Sequence, residues 1–188
     1  MLVRSPIPLL ADVGVPMIFL TFPLMIGALI PVIAVEIWIA KPLLGTSYRR
    51  TTWIVSVANV ASTIIGVPAA WVAMFALEFL GGEIVFKLTP ARSTDGPEMN
   101  AVFLLLGSAW LGPGSNLYWA VPLAALILLI PTFFASWYIE AFIVDQMVDR
   151  DWPDVRTTTF KANLASYALL YVGGCVWLIV SVIRWRPH

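Results

Sequence analysis

The segment VGVPMIFLTFPLMIGALIPVIAV, residues 13–35, has no charged side chain in 23 consecutive positions. A helix needs about 20 apolar residues to cross the hydrocarbon core of a bilayer, so this segment is long enough to span it. The apolar character continues past Glu36 to Ala40 and ends at Lys41. We therefore predict that residues 13–40 form a membrane-spanning helix.

The composition of the whole chain agrees with this prediction. Of the 188 residues, 60% are hydrophobic and 12% are charged, and the mean hydropathy is +0.89. A soluble domain carries about 25% charged residues, so lipid must surround most of this chain. The prediction is an integral membrane protein, in a bacterial inner membrane or another energy-transducing membrane. Eleven basic and eleven acidic residues balance, and no run of like charge indicates a nucleic-acid partner.

Three further apolar stretches follow, and they predict an all-α fold with four spans. They cover residues 53–80, which Pro68 interrupts, residues 118–143 and residues 160–183. The predicted organisation is an N-terminal segment (1–12), a first transmembrane hairpin (13–80), a connector (81–117), a second hairpin (118–183) and a C-terminal tail (184–188).

The connector contains one further apolar element. Residues 101–111 carry no charge, but the helix-breaking sequence GPGSN follows at 112–116. Eleven residues are too few to cross a bilayer. We predict a short interfacial or re-entrant half-helix at 101–111.

The two predicted hairpins resemble each other in sequence. A shift of 104 residues places Glu36 on Glu140 and ANVAS (58–62) on ANLAS (162–166). In each half, 22 residues separate the glutamate from the asparagine of this motif. Each unit holds two spans, so both units would enter the membrane in the same direction, as parallel repeats. The alternative is a chance match between short motifs.

Small residues recur at four-residue intervals in the second and fourth spans, where they would let helix backbones approach closely. We predict that these two spans cross each other along this helix-packing seam. Its members are Ala58, Ser62, Gly66 and Ala70 in the second span, and Ala162, Ser166 and Gly174 in the fourth.

The repeated motif also supplies the candidate polar site. A carboxylate within hydrocarbon is costly and tends to face a partner or water. In the first interpretation each glutamate accepts a hydrogen bond from its asparagine, or from Arg49, Arg50 or Arg156 at the interface, and clamps its own hairpin. In the second, the six side chains converge as a proton or cation site. They are Glu36, Asn59, Ser62, Glu140, Asn163 and Ser166.

Residue types required by common catalytic sites are scarce. The only histidine is His188 and the only cysteine is Cys175, and no hydrolase, metalloprotease or phosphate-loop motif occurs. We therefore expect no catalytic residues, no metal site and no enzymatic activity. No cofactor is predicted, although an aromatic groove between the hairpins could contact lipid, quinone or pigment.

Two functional hypotheses follow. The first is a small non-catalytic membrane subunit that packs against a larger membrane protein complex or against copies of itself. The alternative is a small proton or cation transporter or channel that uses the duplicated Glu/Asn pairs.

The predicted orientation in the membrane depends on a margin of one basic residue, because the intra-hairpin loops hold six basic residues and the other side holds five. The positive-inside rule then places both termini outside the cytoplasm.

Overall fold

The computed structural model describes residues 15–88, 107–111 and 117–184, and long helices account for most of them. In chain order the elements are β1 (Val15–Pro16), α1 (Ile18–Leu44), α2 (Tyr48–Ala61), a π-helical segment (Ser62–Gly66), α3 (Val67–Leu88), β2 (Trp110–Leu111), α4 (Leu117–Met147) and α5 (Trp152–Arg184).

Four helical stretches are long and apolar enough to cross a membrane, as predicted for an integral membrane protein. Span one is Ile18–Leu44, span two is Tyr48–Gly81, span three is Tyr118–Met147 and span four is Trp152–Arg184. Span two is continuous through α2, the π-helical segment and α3. All four extend beyond the stretches that hydropathy alone marked at one end or both.

A tight turn joins the first two spans. Gly45 ends α1 in the left-handed conformation (φ 65°), and its N–H donates to the carbonyl of Lys41. Ser47 then caps α2 by accepting a hydrogen bond from the N–H of Arg50 at 3.3 Å. Because only three residues separate the helices, spans one and two lie antiparallel as neighbours.

The π-helical segment ends two positions before Pro68. A proline in a regular helix removes one hydrogen bond, and its ring clashes with the carbonyl four residues earlier, here that of Ile64. The wider π turn over Ser62–Gly66 provides room at this point. The interruption predicted at Pro68 is thus a local change of helix type, and the span continues beyond it.

The four spans form a bundle in which each packs against the next and span one packs against span four. Spans two and four consequently lie at opposite corners, and so do spans one and three. Toward the intra-hairpin loops, the core consists of Ala40, Leu44, Ile54, Val55, Ala58, Val144, Val148 and Val155. Toward the other side, a second cluster consists of Met17, Leu111, Ala120, Ala124 and Leu128.

The two glycines of the predicted seam pack against span three. A Cβ added at Gly66 in span two would lie 3.2 Å from Ile139 Cδ1 of span three, and one added at Gly174 in span four would lie 2.6 Å from Leu126 Cδ2, also of span three. Small residues allow close approach but do not select the neighbour.

The half-helix predicted at 101–111 lies partly outside the described residues. Residues 107–111 form a turn followed by β2, so a helix does not extend to residue 111. In the short antiparallel pair, Leu111 lies opposite Val15, and Trp110 lies opposite Pro16. The N–H of Met17 also donates to the carbonyl of Ala109 at 2.9 Å. This segment therefore contacts the start of span one.

Candidate polar site

Each glutamate of the repeated motif is bonded to the asparagine of its own hairpin. Asn59 Nδ2 donates to Glu36 Oε2 at 2.5 Å, and Asn163 Nδ2 donates to Glu140 Oε2 at 2.6 Å. In both hairpins the tight turn brings the two side chains to the same depth. These are the contacts that the clamp interpretation expects.

The serines of the motif bond across the two hairpins. Ser62 Oγ donates to Glu140 Oε1, and Ser166 Oγ donates to Glu36 Oε1, each at 2.6 Å. Each carboxyl group thus accepts one hydrogen bond from its own hairpin and one from the other. The structure brings all six predicted site residues together, and we call this cluster the polar ring.

The polar ring is buried at the centre of the bundle. Its six side chains are between 0% and 3% exposed. The asparagines and serines also bond to backbone carbonyls of their own helices: Asn59 Nδ2 reaches Val55 O at 3.1 Å, and Ser166 Oγ reaches Asn163 O at 3.1 Å. These additional bonds help to orient the donors toward the carboxyl groups.

The two carboxyl groups of the polar ring also lie against each other, close enough for a direct hydrogen bond when one of them carries a proton. Their other hydrogen-bonding neighbours are the uncharged asparagines and serines. Among the described residues, no lysine or arginine forms an ion pair with either glutamate. The ring therefore concentrates two acidic groups that no positive side chain in the described part of the chain balances.

A small cavity of about 10 Å³ adjoins the ring on the side of the intra-hairpin loops. Both glutamates and Asn59 line it, as do Thr158 and Thr159 of span four. This volume is large enough for roughly one water molecule, and a buried water needs two to four polar partners to be stable.

Sequence reasoning missed a second buried polar pair beside the ring. Ser136 Oγ and Tyr167 Oη are 2.8 Å apart in a hydrogen bond, and Tyr167 is 9% exposed. Phe133 packs edge-on against the Tyr167 ring. The sequence positions of the two residues could have indicated this pair, because Ser136 lies one helical turn before Glu140 and Tyr167 directly follows Ser166.

Within residues 15–88, 107–111 and 117–184, no three histidine, cysteine, aspartate or glutamate side chains gather as a metal site. The fold and the site define an integral membrane protein with a polar ring enclosed by four spans. No protein-family model, curated protein or solved structure matches the chain.

Proposed function

We propose that this protein binds a proton at the paired carboxyl groups of Glu36 and Glu140 and acts as a small proton transporter. The observation that carries the proposal is the contact between two buried carboxyl groups that have no basic partner among the described residues. Intramembrane carboxyl groups in contact with each other commonly belong to proton pathways.

Two ionised carboxylates in contact repel each other strongly inside a low-dielectric bundle. One proton placed between Glu36 and Glu140 removes this repulsion and supplies the missing hydrogen bond. The acidic pair thus favours proton binding.

The hydrogen bonds favour a proton over a metal cation. Each of the four carboxyl oxygens already accepts a bond from an N–H or O–H donor. A hard cation such as calcium requires six to eight oxygen ligands at about 2.3–2.6 Å, and those donors would have to turn away from it. A proton requires no such rearrangement.

The small cavity suggests the side from which the proton exchanges. It extends from the ring toward Leu44 and Val144, near the intra-hairpin loops. A single water there would connect Glu36 and Glu140 to Thr158 and Thr159. Exchange from the opposite side would need a second conformation of the bundle, as alternating access requires.

Proton flux into proteoliposomes tests this proposal. A pH-sensitive dye inside the vesicles would report proton entry driven by a potassium-diffusion potential, for the native protein and for Glu36→Gln, Glu140→Gln and the double variant. Glu78→Gln is the matched control, because Glu78 lies in span two outside the ring. We expect flux to be lost in the double variant and retained in the control. Unchanged flux in the double variant would remove the proposed site.

A second candidate function is supported by the outer face of span two. An open groove of about 520 Å³ runs along this face beside the π-helical segment. Its walls are Trp53, Ser56, Val57, Val60, Ala61, Ile64 and Ile65. A helix of another membrane protein, or of a second copy, could pack there through the small residues Ser56 and Ala61. The protein would then be a non-catalytic membrane subunit.

Extraction in a mild detergent separates the two candidates. Co-migration with a much larger assembly, abolished by Val60→Trp in the groove, would support the subunit function. A lone monomer that still conducts protons would exclude it.

The parallel-repeat architecture belongs to the same proposal. Equivalent residues of the two hairpins make equivalent contacts: asparagine to its own glutamate, and serine to the other one. This reciprocity supports a pseudo-two-fold axis along the membrane normal that passes between the two carboxyl groups.

A further inference from the structure

A second, much larger cavity lies on the opposite side of the polar ring from the small one. Its volume is about 410 Å³, within the range of roughly 300–1,000 Å³ for sites that hold small molecules. All four spans contribute to its walls, including Leu24 from span one, Trp71 from span two, Thr132 from span three and Gly173 from span four.

The cavity lies within the membrane-spanning part of the bundle. Thr132 is eight positions before Glu140, about 12 Å along a helix, and Leu169 is one turn beyond Ser166. At this depth the surrounding solvent is the hydrocarbon of the bilayer.

The polar groups of the cavity wall are largely occupied by bonds within the protein. Thr21 Oγ1 donates to Met17 O at 2.8 Å, Thr132 Oγ1 donates to Leu128 O at 2.6 Å, and Trp71 Nε1 donates to Ala109 O at 2.9 Å. A buried water needs two to four polar partners, so water is a poor occupant. The carbonyl oxygens of a quinone head group need donors, and these three donors are already used within the protein.

We infer that this cavity binds one acyl chain of a bilayer phospholipid. The wall is apolar, the cavity opens to the surface of the bundle, and lipid chains surround the protein there. Trp177 lines the end nearer Arg184, and indoles favour the headgroup level of the membrane. The chain therefore enters from the Arg184 end of span four, with its tip toward the polar ring. This inference is independent of the proton proposal.

Two glycines provide a matched pair of variants. A Cβ added at Gly173 or at Gly27 would meet no atom within 4 Å, so both positions accept a side chain without a clash. Gly173 lines the cavity, whereas Gly27 does not. Gly173→Phe should fill the cavity, and Gly27→Phe should only add an aromatic ring to the surface of span one. Ala28→Phe, which enters the cavity from span one, is a second blocking variant.

The test uses the full chain reconstituted with phosphatidylcholine that carries a diazirine on one acyl chain, followed by photolysis and mass spectrometry of the peptides. We expect adducts concentrated on the wall residues of spans three and four. Gly173→Phe and Ala28→Phe should reduce these adducts by about fivefold or more, because the phenyl ring takes the space of the chain. Gly27→Phe should leave them unchanged.

Three results would overturn the inference. The first is labelling spread evenly over lipid-facing residues such as Ile30 and Val172. The second is wall labelling that persists in both blocking variants when their thermal stability equals that of Gly27→Phe. The third is displacement of the label by one equivalent of a long-chain isoprenoid quinone, which would assign the cavity to a quinone.

Discussion

Ser166 donates its hydroxyl hydrogen to Glu36 across 130 positions of sequence, at 2.6 Å. Glu36 also accepts from Asn59, which is only 23 positions away and in the same hairpin. One carboxyl group therefore joins a local contact to a contact between hairpins. The reciprocal bond from Ser62 to Glu140 closes the arrangement, so the two hairpins are held by polar bonds at their centre in addition to apolar packing.

The cross-hairpin bonds make both serines important for stability. We expect Ser62→Ala or Ser166→Ala to lower the free energy of unfolding by about 1–3 kcal/mol, because a buried carboxyl oxygen loses its donor. The double variant should be less stable than either single variant. Unfolding by titration with a denaturing detergent measures the change. Ser56→Ala, on the outer groove of span two, is the control and should behave like the native protein. Equal stability of the double variant and the control would contradict this prediction.

Substitutions of Glu140 distinguish a protonated carboxyl group from an ionised one. Glutamine keeps the size and the uncharged state of the protonated acid together with one acceptor oxygen, whereas alanine leaves the donors of both Ser62 and Asn163 unpaired in the core. We expect Glu140→Ala to destabilise the protein by roughly 2–5 kcal/mol more than Glu140→Gln.

Infrared difference spectroscopy supplies a direct readout for the same pair. The native protein should show a carboxylic acid C=O band that disappears when both Glu36 and Glu140 are glutamine. If glutamine at 140 were as damaging as alanine and no such band were present, the two carboxyl groups would not share a proton.

The sequence contained enough information for the four spans and for one half of the polar ring. A long apolar stretch identifies a span without reference to its neighbours. The contact between Glu36 and Asn59 is also local, because the tight turn between spans one and two brings these two residues together. The bond between Ser166 and Glu36 depends on how two hairpins rotate against each other, which no local pattern encodes. The neighbour of Gly66 likewise depends on the arrangement of the hairpins, since a glycine indicates close packing but not that span three is its neighbour.

Trp71 holds the connector against the bundle. Its indole N–H donates to the carbonyl of Ala109 at 2.9 Å, and the same carbonyl accepts from the N–H of Met17. Trp71→Phe keeps the stacking with Phe75 but removes the indole bond. We expect faster amide hydrogen exchange at Met17 and Leu111, by about three- to tenfold for the loss of roughly 1 kcal/mol. Trp53→Phe is the control, because Trp53 is 65% exposed on the outer face of span two. Equal exchange in both variants would exclude this role of Trp71.

Gly66 sets the distance between span two and span three beside the polar ring. A Cβ at this position would lie 3.6 Å from the backbone nitrogen of Ser136 and 3.2 Å from Ile139 Cδ1. Alanine should therefore fit after a small shift of the Ile139 side chain, whereas leucine must push the backbone of span three away.

Because Ser62 lies one turn before Gly66, that movement would also lengthen the bond from Ser62 to Glu140. We expect Gly66→Leu to lower the free energy of unfolding by about 1–3 kcal/mol or more, and Gly66→Ala by less than about 1 kcal/mol. Gly27→Leu, which adds the same side chain where no atom lies within 4 Å, should have no comparable effect.

Combining Gly66→Leu with Ser62→Ala tests the link between the two sites. If Gly66→Leu already breaks the hydrogen bond from Ser62 to Glu140, removing the Ser62 hydroxyl cannot cost the same stability a second time. The double variant should then be clearly less destabilised than the sum of the two single variants, and full additivity would show that the close packing at Gly66 does not support the polar ring.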